Sequence, residues 1–202
     1  MRSHPILTLS PLLLSLALGG CVSPTDDGAA PRVPEEQVVR ADHGGTIPPV
    51  STVTPLGDGV YRFTSTAILD VPEGAAWAKI HDIETLIAIV LPAATDFEWL
   101  DGGGSSKVPS RYQFNALGSV VVEEVYLQDH AEKVLGYRLV TPALGIQTYD
   151  ATVALDRLDN DHTVVTYTRD MAFDDPASVA AFAALFEQEI AALHTYFADK
   201  PR

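Results

Sequence analysis

The sequence predicts an α+β fold: a curved antiparallel β-sheet wrapped around a long C-terminal helix, with two short helices after the first strand. Three patterns predict it. Residues 179–197 repeat apolar side chains at steps of three and four, the spacing of a helix that buries one face. Residues 110–173 alternate apolar and polar side chains in segments bounded by turn-forming residues, as half-buried strands do. Between residues 72 and 91, two brief helical stripes interrupt the strands.

Taken in order, residues 60–68 alternate and form the first strand. Pro72 opens a short helix, because a helix start leaves that N–H unused in any case. Trp77 and Ile80 are its apolar residues. Ile83, Leu86, Ile87 and Val90 form the second stripe, with Leu91 beside it, and Pro92 ends it. Residues 97–100 are a short strand and 102–106 a glycine/serine loop. Strands follow over 110–116, 119–127, 133–141, 147–157 and 162–173. Gly118, Asp129-His130, residues 142–145 and Asn160-Asp161 supply the turns between them. Asp174 and Asp175 offer a cap and favourable charge to the last helix, and Pro176 fits its first turn. Val179, Phe182, Phe186, Ile190, Leu193 and Phe197 make its buried stripe. With one sheet to lie on, that stripe belongs across the concave side.

The N-terminal residues read differently. Arg2, an apolar stretch over 6–18 and Leu18-Gly19-Gly20-Cys21 have the layout of an export signal, residues 1–20. The apolar stretch is shorter than the roughly 20 residues of a membrane span. Leu-Gly-Gly-Cys is similar to the bacterial lipobox, in which the cysteine is acylated and the chain is cut before it. An ordinary signal with a chance cysteine is the alternative. Cys21 is the only cysteine, so no internal disulfide is available, and acylation removes a thiol that an oxidising compartment would attack. Two or more acyl chains give stable anchoring where one is marginal. The expected location is the cell envelope, held through lipidated Cys21. In a Gram-negative cell that is the outer membrane facing the periplasm, since Val22 and not Asp follows the cysteine. Residues 21–56 are rich in proline, glycine and acidic side chains without apolar periodicity, the composition of a flexible tether averaging about 30 Å end to end. The alternative is that 50–53 pairs as an extra edge strand. The folded domain is expected over 57–199.

Composition excludes some partners. A formal charge of −14 leaves no basic footprint for nucleic acid and no long-range attraction to anionic headgroups. The six histidines form no His-Glu-x-x-His or similar spacing, so neither a metal nor a cofactor is expected. His194 borders the buried stripe of the last helix. Ser105 and Ser106 lack a Gly-x-Ser-x-Gly context, and the glycines before Lys107 do not make a phosphate loop. A monomer is expected.

The domain resembles the helix-grip fold of the START-like, or SRPBCC, superfamily, and within it the bacterial polyketide cyclase/dehydrase-like proteins. The residues that carry the resemblance span about 59–197. They are Val71-Pro72 with Trp77, Arg111 and Gly118, Glu123 and Asp129, Tyr137, the run 149–153, and the run 163–167, with Tyr167 where the family often has tryptophan. The resemblance implies a cavity between sheet and helix. It sets Arg111, Gln113 and Asn115 on the inner face together with Glu123, Tyr137, Tyr149, Tyr167, Arg169 and Met171, under Phe186 and Ile190 of the last helix. Counting from a turn at Leu117-Gly118 puts Arg111 opposite Glu123, and a turn near His130 puts Glu123 opposite Tyr137, one row across three strands. The polarity of 110–116 points the other way. Tyr112, Phe114 and Ala116 are its apolar set, and a one-residue slip exchanges the faces.

Such a cavity suits a mostly apolar ligand held by a few polar anchors; alternatively, Arg111 and Glu123 only neutralise each other. Three functions follow. The first is a lipid-anchored protein that binds or carries a hydrophobic small molecule, lipid or polyketide-like. The second is a cyclase or dehydrase in which Arg111 polarises a carbonyl and Glu123 or a tyrosine moves a proton. The third is a non-catalytic envelope protein that binds a protein partner.

Overall fold

The computed structural model describes residues 48–198. The export signal, Cys21, the tether as far as residue 47, and residue 199 lie outside the described residues. Among the described residues, eight antiparallel strands form one sheet: β1 (Val50–Gly57), β2 (Val60–Leu69), β3 (Thr95–Trp99), β4 (Ser110–Ala116), β5 (Ser119–Asp129), β6 (Val134–Leu139), β7 (Ile146–Arg157) and β8 (Thr163–Phe173). Their order across the sheet is β1-β2-β8-β7-β6-β5-β4-β3. Helices α1 (Glu73–Ile80) and α2 (Ile83–Val90) connect β2 to β3, and α3 (Ser178–Ala198) ends the described chain.

The alternation read from the sequence sets which face is covered. Phe63, Ala67 and Leu69 of β2 and Val165, Tyr167 and Met171 of β8 are all buried, because successive strand residues point to opposite faces. Ile80, Ile83 and Leu86 of the two short helices are sealed from solvent. Pro72 stands at the N-cap of α1, its carbonyl accepting from the amides of Ala75 and Ala76 at 2.9 and 3.1 Å. The Trp77 indole N–H donates to Nδ1 of His130 at 2.9 Å and ties α1 to the β5–β6 turn. Ahead of α3, the Asp175 carboxylate accepts from the amide of Ala177 at 2.9 Å, so the acidic pair shapes the turn into the helix, which begins at Ser178.

Two sequence expectations are corrected here. Residues 50–56, expected as the end of the tether, belong with Gly57 to edge strand β1, paired with β2 from Val50↔Thr66 to Gly57↔Val60. This extends the edge-strand alternative beyond residues 50–53. Nearly all of its side chains are exposed, so apolar periodicity leaves no trace of it; backbone pairing forms it, with the Ser51 hydroxyl donating to that of Ser65 at 3.0 Å. The second correction concerns register. Leu117 and Gly118 both have positive φ (50° and 80°) and make a two-residue hairpin turn with Ala116 opposite Ser119. Arg111 therefore faces Glu124, and Tyr112 faces Glu123. A bulge between Val125 and Leu127 then sets Tyr137 opposite Val125, while Glu123 meets Leu139. The predicted row of Arg111, Glu123 and Tyr137 does not form.

Candidate functional site

The one-residue difference in register reverses β4. Tyr112, Phe114 and Ala116 point inward and are buried, whereas Arg111, Gln113 and Asn115 point outward and do not reach the interior. Each of the three meets an acidic neighbour on the outer face. Arg111 Nε donates to Glu124 at 3.2 Å, Gln113 to Glu98 at 3.0 Å and Asn115 to Asp96 at 2.6 Å. Glu124 also accepts from Arg138 at 2.7 Å, and these cations hold its carboxyl below the usual range, Arg138 foremost. The polarity of the strand was the sound signal, and the family landmark on β4 was not.

The other expected residues do share the inner side. Glu123, Tyr137, Tyr167, Arg169 and Met171 are buried within the sheet, Tyr149 is half-buried, and Phe186 and Ile190 are buried on α3. Between sheet and helix lies a cavity of about 80 Å³. Glu123, Tyr149, Met171 and Phe186 are on its wall; Tyr137, Tyr167, Arg169 and Ile190 surround it without lining it. Leu91, Leu117, Leu144 and Leu185 contribute to the remainder of the wall. A wider depression of about 1090 Å³ lies on the outside between α2 and α3, but it is open and holds none of the buried charged groups.

Two residues missed in the sequence bear on the polar part of the cavity, Glu189 on its wall and Tyr112 behind Glu123. Glu189 lies on α3 between Phe186 and Ile190, on the buried stripe, and a carboxylate at that spacing was the available signal. Tyr112 belongs to the apolar set of β4, and its hydroxyl is the part that alternation does not reveal. The Tyr112 hydroxyl donates to Oε2 of Glu123 at 2.5 Å. Burial pushes the Glu123 carboxyl up to about 7, with the Tyr112 hydrogen bond and Arg169 opposing and Glu189 assisting. Burial likewise raises the hydroxyls of Tyr112, Tyr149 and Tyr167. All three remain protonated and able to donate. The Tyr149 hydroxyl lies 3.3 Å from that of Tyr137.

Arg169 is the buried cation among the described residues, at 0% exposure. Its Nη2 donates to Oε2 of Glu189 at 2.5 Å. Its guanidinium carbon sits 3.3 Å from the Tyr167 ring centre and 4.1 Å from that of Phe186, a cation held between two aromatic faces. Burial opposes this charge, yet Glu189 and the neighbouring tyrosines outweigh it and hold Arg169 above its ordinary value. Burial also pushes the Glu189 carboxyl up against the pull of Arg169. Glu189 is the counter-ion, since a guanidinium buried alone is far too costly. Nε and Nη1 of Arg169 have no hydrogen-bond partner among the described residues. Chemically, the cavity offers apolar walls, two carboxyls of weakened acidity and the neutral phenol of Tyr149, with a fixed cation behind them.

The comparisons agree with this architecture. The structure of a Nitrosospira multiformis protein is 16% identical with a TM-score of 0.57, covering 68% of this chain and 97% of that one. XoxI from Bacillus cereus is 15% identical with a TM-score of 0.59, covering 68% and 96%. Zhui, a Streptomyces aromatase/cyclase, is 15% identical with a TM-score of 0.58, covering 71% and 96%. At these identities the likeness is one of fold. No curated protein matches the sequence. The family described as polyketide cyclase/dehydrase and lipid transport matches residues 60–198. With that match over most of its length, and with a curved sheet closed by a C-terminal helix, the chain belongs to this family of the START-like superfamily.

Proposed function

We propose that this protein binds and carries a hydrophobic small molecule, lipid or polyketide-like, in the cavity beneath α3, as a monomeric lipoprotein tied to the cell envelope through acylated Cys21. The observation that carries the reading is the mixed lining: apolar side chains enclose the carboxyls of Glu123 and Glu189 and the phenol of Tyr149. This is the combination that orients a mainly apolar ligand by one polar group. The cavity, about 80 Å³, is well below the roughly 300 Å³ at which small-molecule pockets begin. Entry therefore displaces the half-buried leucines of the rim and the first turns of α3. Native mass spectrometry of the purified chain tests this, with thermal melts in a series of fatty acids and isoprenoids. A co-purifying amphipathic molecule, or a midpoint that rises with ligand concentration, is expected. No bound molecule and no shift across the series refutes the carrier.

A second reading, a cyclase or dehydrase, is favoured by one group. Glu123, with its carboxyl near 7 beside the Tyr112 hydroxyl, is poised to exchange protons at neutral pH. Arg111 lies outside the cavity and has no part in such chemistry. Turnover of a polyketone analogue that disappears in Glu123→Gln is the outcome that selects the enzyme.

A further inference from the structure

We propose that the rim of the cavity is a membrane-docking surface that seats its mouth on the interface of a zwitterionic lipid bilayer. This rests on the cavity being a ligand site, and two independent observations carry it.

The first lies in the turns. Three two-residue hairpin turns among the described residues have positive φ at both central positions: Asp58-Gly59, Leu117-Gly118 and Leu144-Gly145. Turns of this kind favour Asn or Asp before the glycine, because a short polar side chain tolerates the left-handed region and a leucine does not. Asp58-Gly59 follows that preference and does not line the cavity. The other two turns carry leucine, at φ 50° and 57°, and both leucines line the cavity. Leu117 is nevertheless 73% exposed. Turn geometry calls for a leucine at neither position; Leu144 packs against the core, whereas core packing does not call for Leu117. Backbone strain kept at a binding-site rim points to something the side chain meets outside the protein.

The second lies in the charge pattern. One residue in five is charged and the net charge is −14. Yet residues 86–95, 113–122, 139–149 and 176–186 contain no Asp, Glu, Lys or Arg. Each of these four segments contributes to the cavity wall: Leu91, Leu117, Leu144 and Leu185, respectively. A charge-free frame around the mouth of a strongly acidic protein suits an uncharged, apolar-cored interface. Anionic lipid repels the acidic body, whereas leucines entering a zwitterionic interface gain burial without opposing charge. A ligand leaving the cavity then passes into the bilayer without crossing water.

The test uses the full chain with Cys21→Ser, so that an introduced thiol is unique. An environment-sensitive fluorophore is placed on Leu117→Cys, on Leu144→Cys, or on Asp161→Cys in the turn at the other end of β7 and β8. With phosphatidylcholine vesicles, the first two probes shift to the blue and are quenched by brominated lipid, and the third does neither. Adding Leu117→Asp removes the shift at Leu144→Cys without lowering the unfolding midpoint. Equal responses at all three positions overturn the proposal, as does no response at Leu117→Cys. A disulfide between two Leu117→Cys copies in the absence of lipid also overturns it and assigns the face to self-association. Ligand binding is measured separately by thermal shift without vesicles. Lost docking with intact ligand binding then refutes this inference alone, and the converse refutes the carrier alone.

Discussion

Replacing Glu123 by glutamine makes the protein more stable at alkaline pH and leaves it unchanged in acid. Burial raises the Glu123 carboxyl from 4.5 to about 7. Between those values the folded protein holds a proton that the unfolded chain has released, so the stability contributed by this group falls as pH rises through the window. Below about 4.5 the carboxyl is neutral in both states and no penalty exists. Above about 7 it is charged in both, and the folded state carries the full cost of burying it. At about 1.4 kcal/mol for each tenfold change in proton affinity, the penalty at pH 8 is about 3 kcal/mol. Glutamine has the shape of the protonated acid, still accepts from the Tyr112 hydroxyl, and does not titrate. Glu123→Gln is therefore level with the natural protein near pH 4.5 and more stable by about 3 kcal/mol at pH 8. For a domain of this size that is about 6–12 °C in melting midpoint. Thermal melts of both proteins at the two pH values give the difference, and every other titrating group, Glu189 included, is common to both. A gain of equal size at both pH values refutes the reasoning, and so does a deficit that grows with pH.

Three further outcomes follow from the same geometry. Arg111→Ala changes stability by less than about 1 kcal/mol, because its pair with Glu124 is half-exposed on the outer face and Arg138 remains; ligand affinity measured by thermal shift is unaltered, and its loss would return Arg111 to the cavity. Glu189→Gln costs about 3 kcal/mol in denaturant unfolding, since it leaves the buried Arg169 charge uncompensated, whereas Arg169→Met with Glu189→Leu recovers all but about 1 kcal/mol. Leu117→Asn relieves the left-handed strain of its turn and raises stability by about 0.5–1 kcal/mol in the same assay; a decrease would show that Leu117 is there to pack.

Most of the fold was legible because burial leaves periodic traces. The stripe of α3, the short stripes closed by Pro92 and the alternation of β8 from Val165 to Met171 each record one covered face. β1 left no such record, since nearly all its side chains meet solvent. The site was legible in part for a related reason. Alternation alone carries Tyr167, Arg169 and Met171 to the inside, but which face of β4 turns inward depends on a single residue of register. That register is set by whether Leu117-Gly118 closes as a two-residue turn. The alternation of Tyr112, Phe114 and Ala116 held the answer, since three apolar side chains on the outer face would have had no cover. Glu189 is the converse case, a charged residue that the stripe of α3 required to be buried and therefore paired.

The Arg169–Glu189 pair also divides α3 into two parts with different tasks. On the C-terminal side of Glu189, Ile190, Leu193 and Phe197 are fully buried in the main core. On the N-terminal side, Val179, Phe182 and Leu185 are only half-buried, and Phe182 and Leu185 line the cavity. Apolar contact is non-directional and lets a helix slide on a sheet. A charge-assisted hydrogen bond of 2.5 Å fixes one position along the helix. An apolar replacement of similar volume would hold the domain together about as well, so the particular effect of the ion pair is to fix where α3 sits. With that point pinned to β8, the first turns of the helix are the less buried part, held to the sheet by the ring contacts of Phe186 with Phe63 and of Phe182 with Phe173. Those turns belong to the charge-free frame of the mouth.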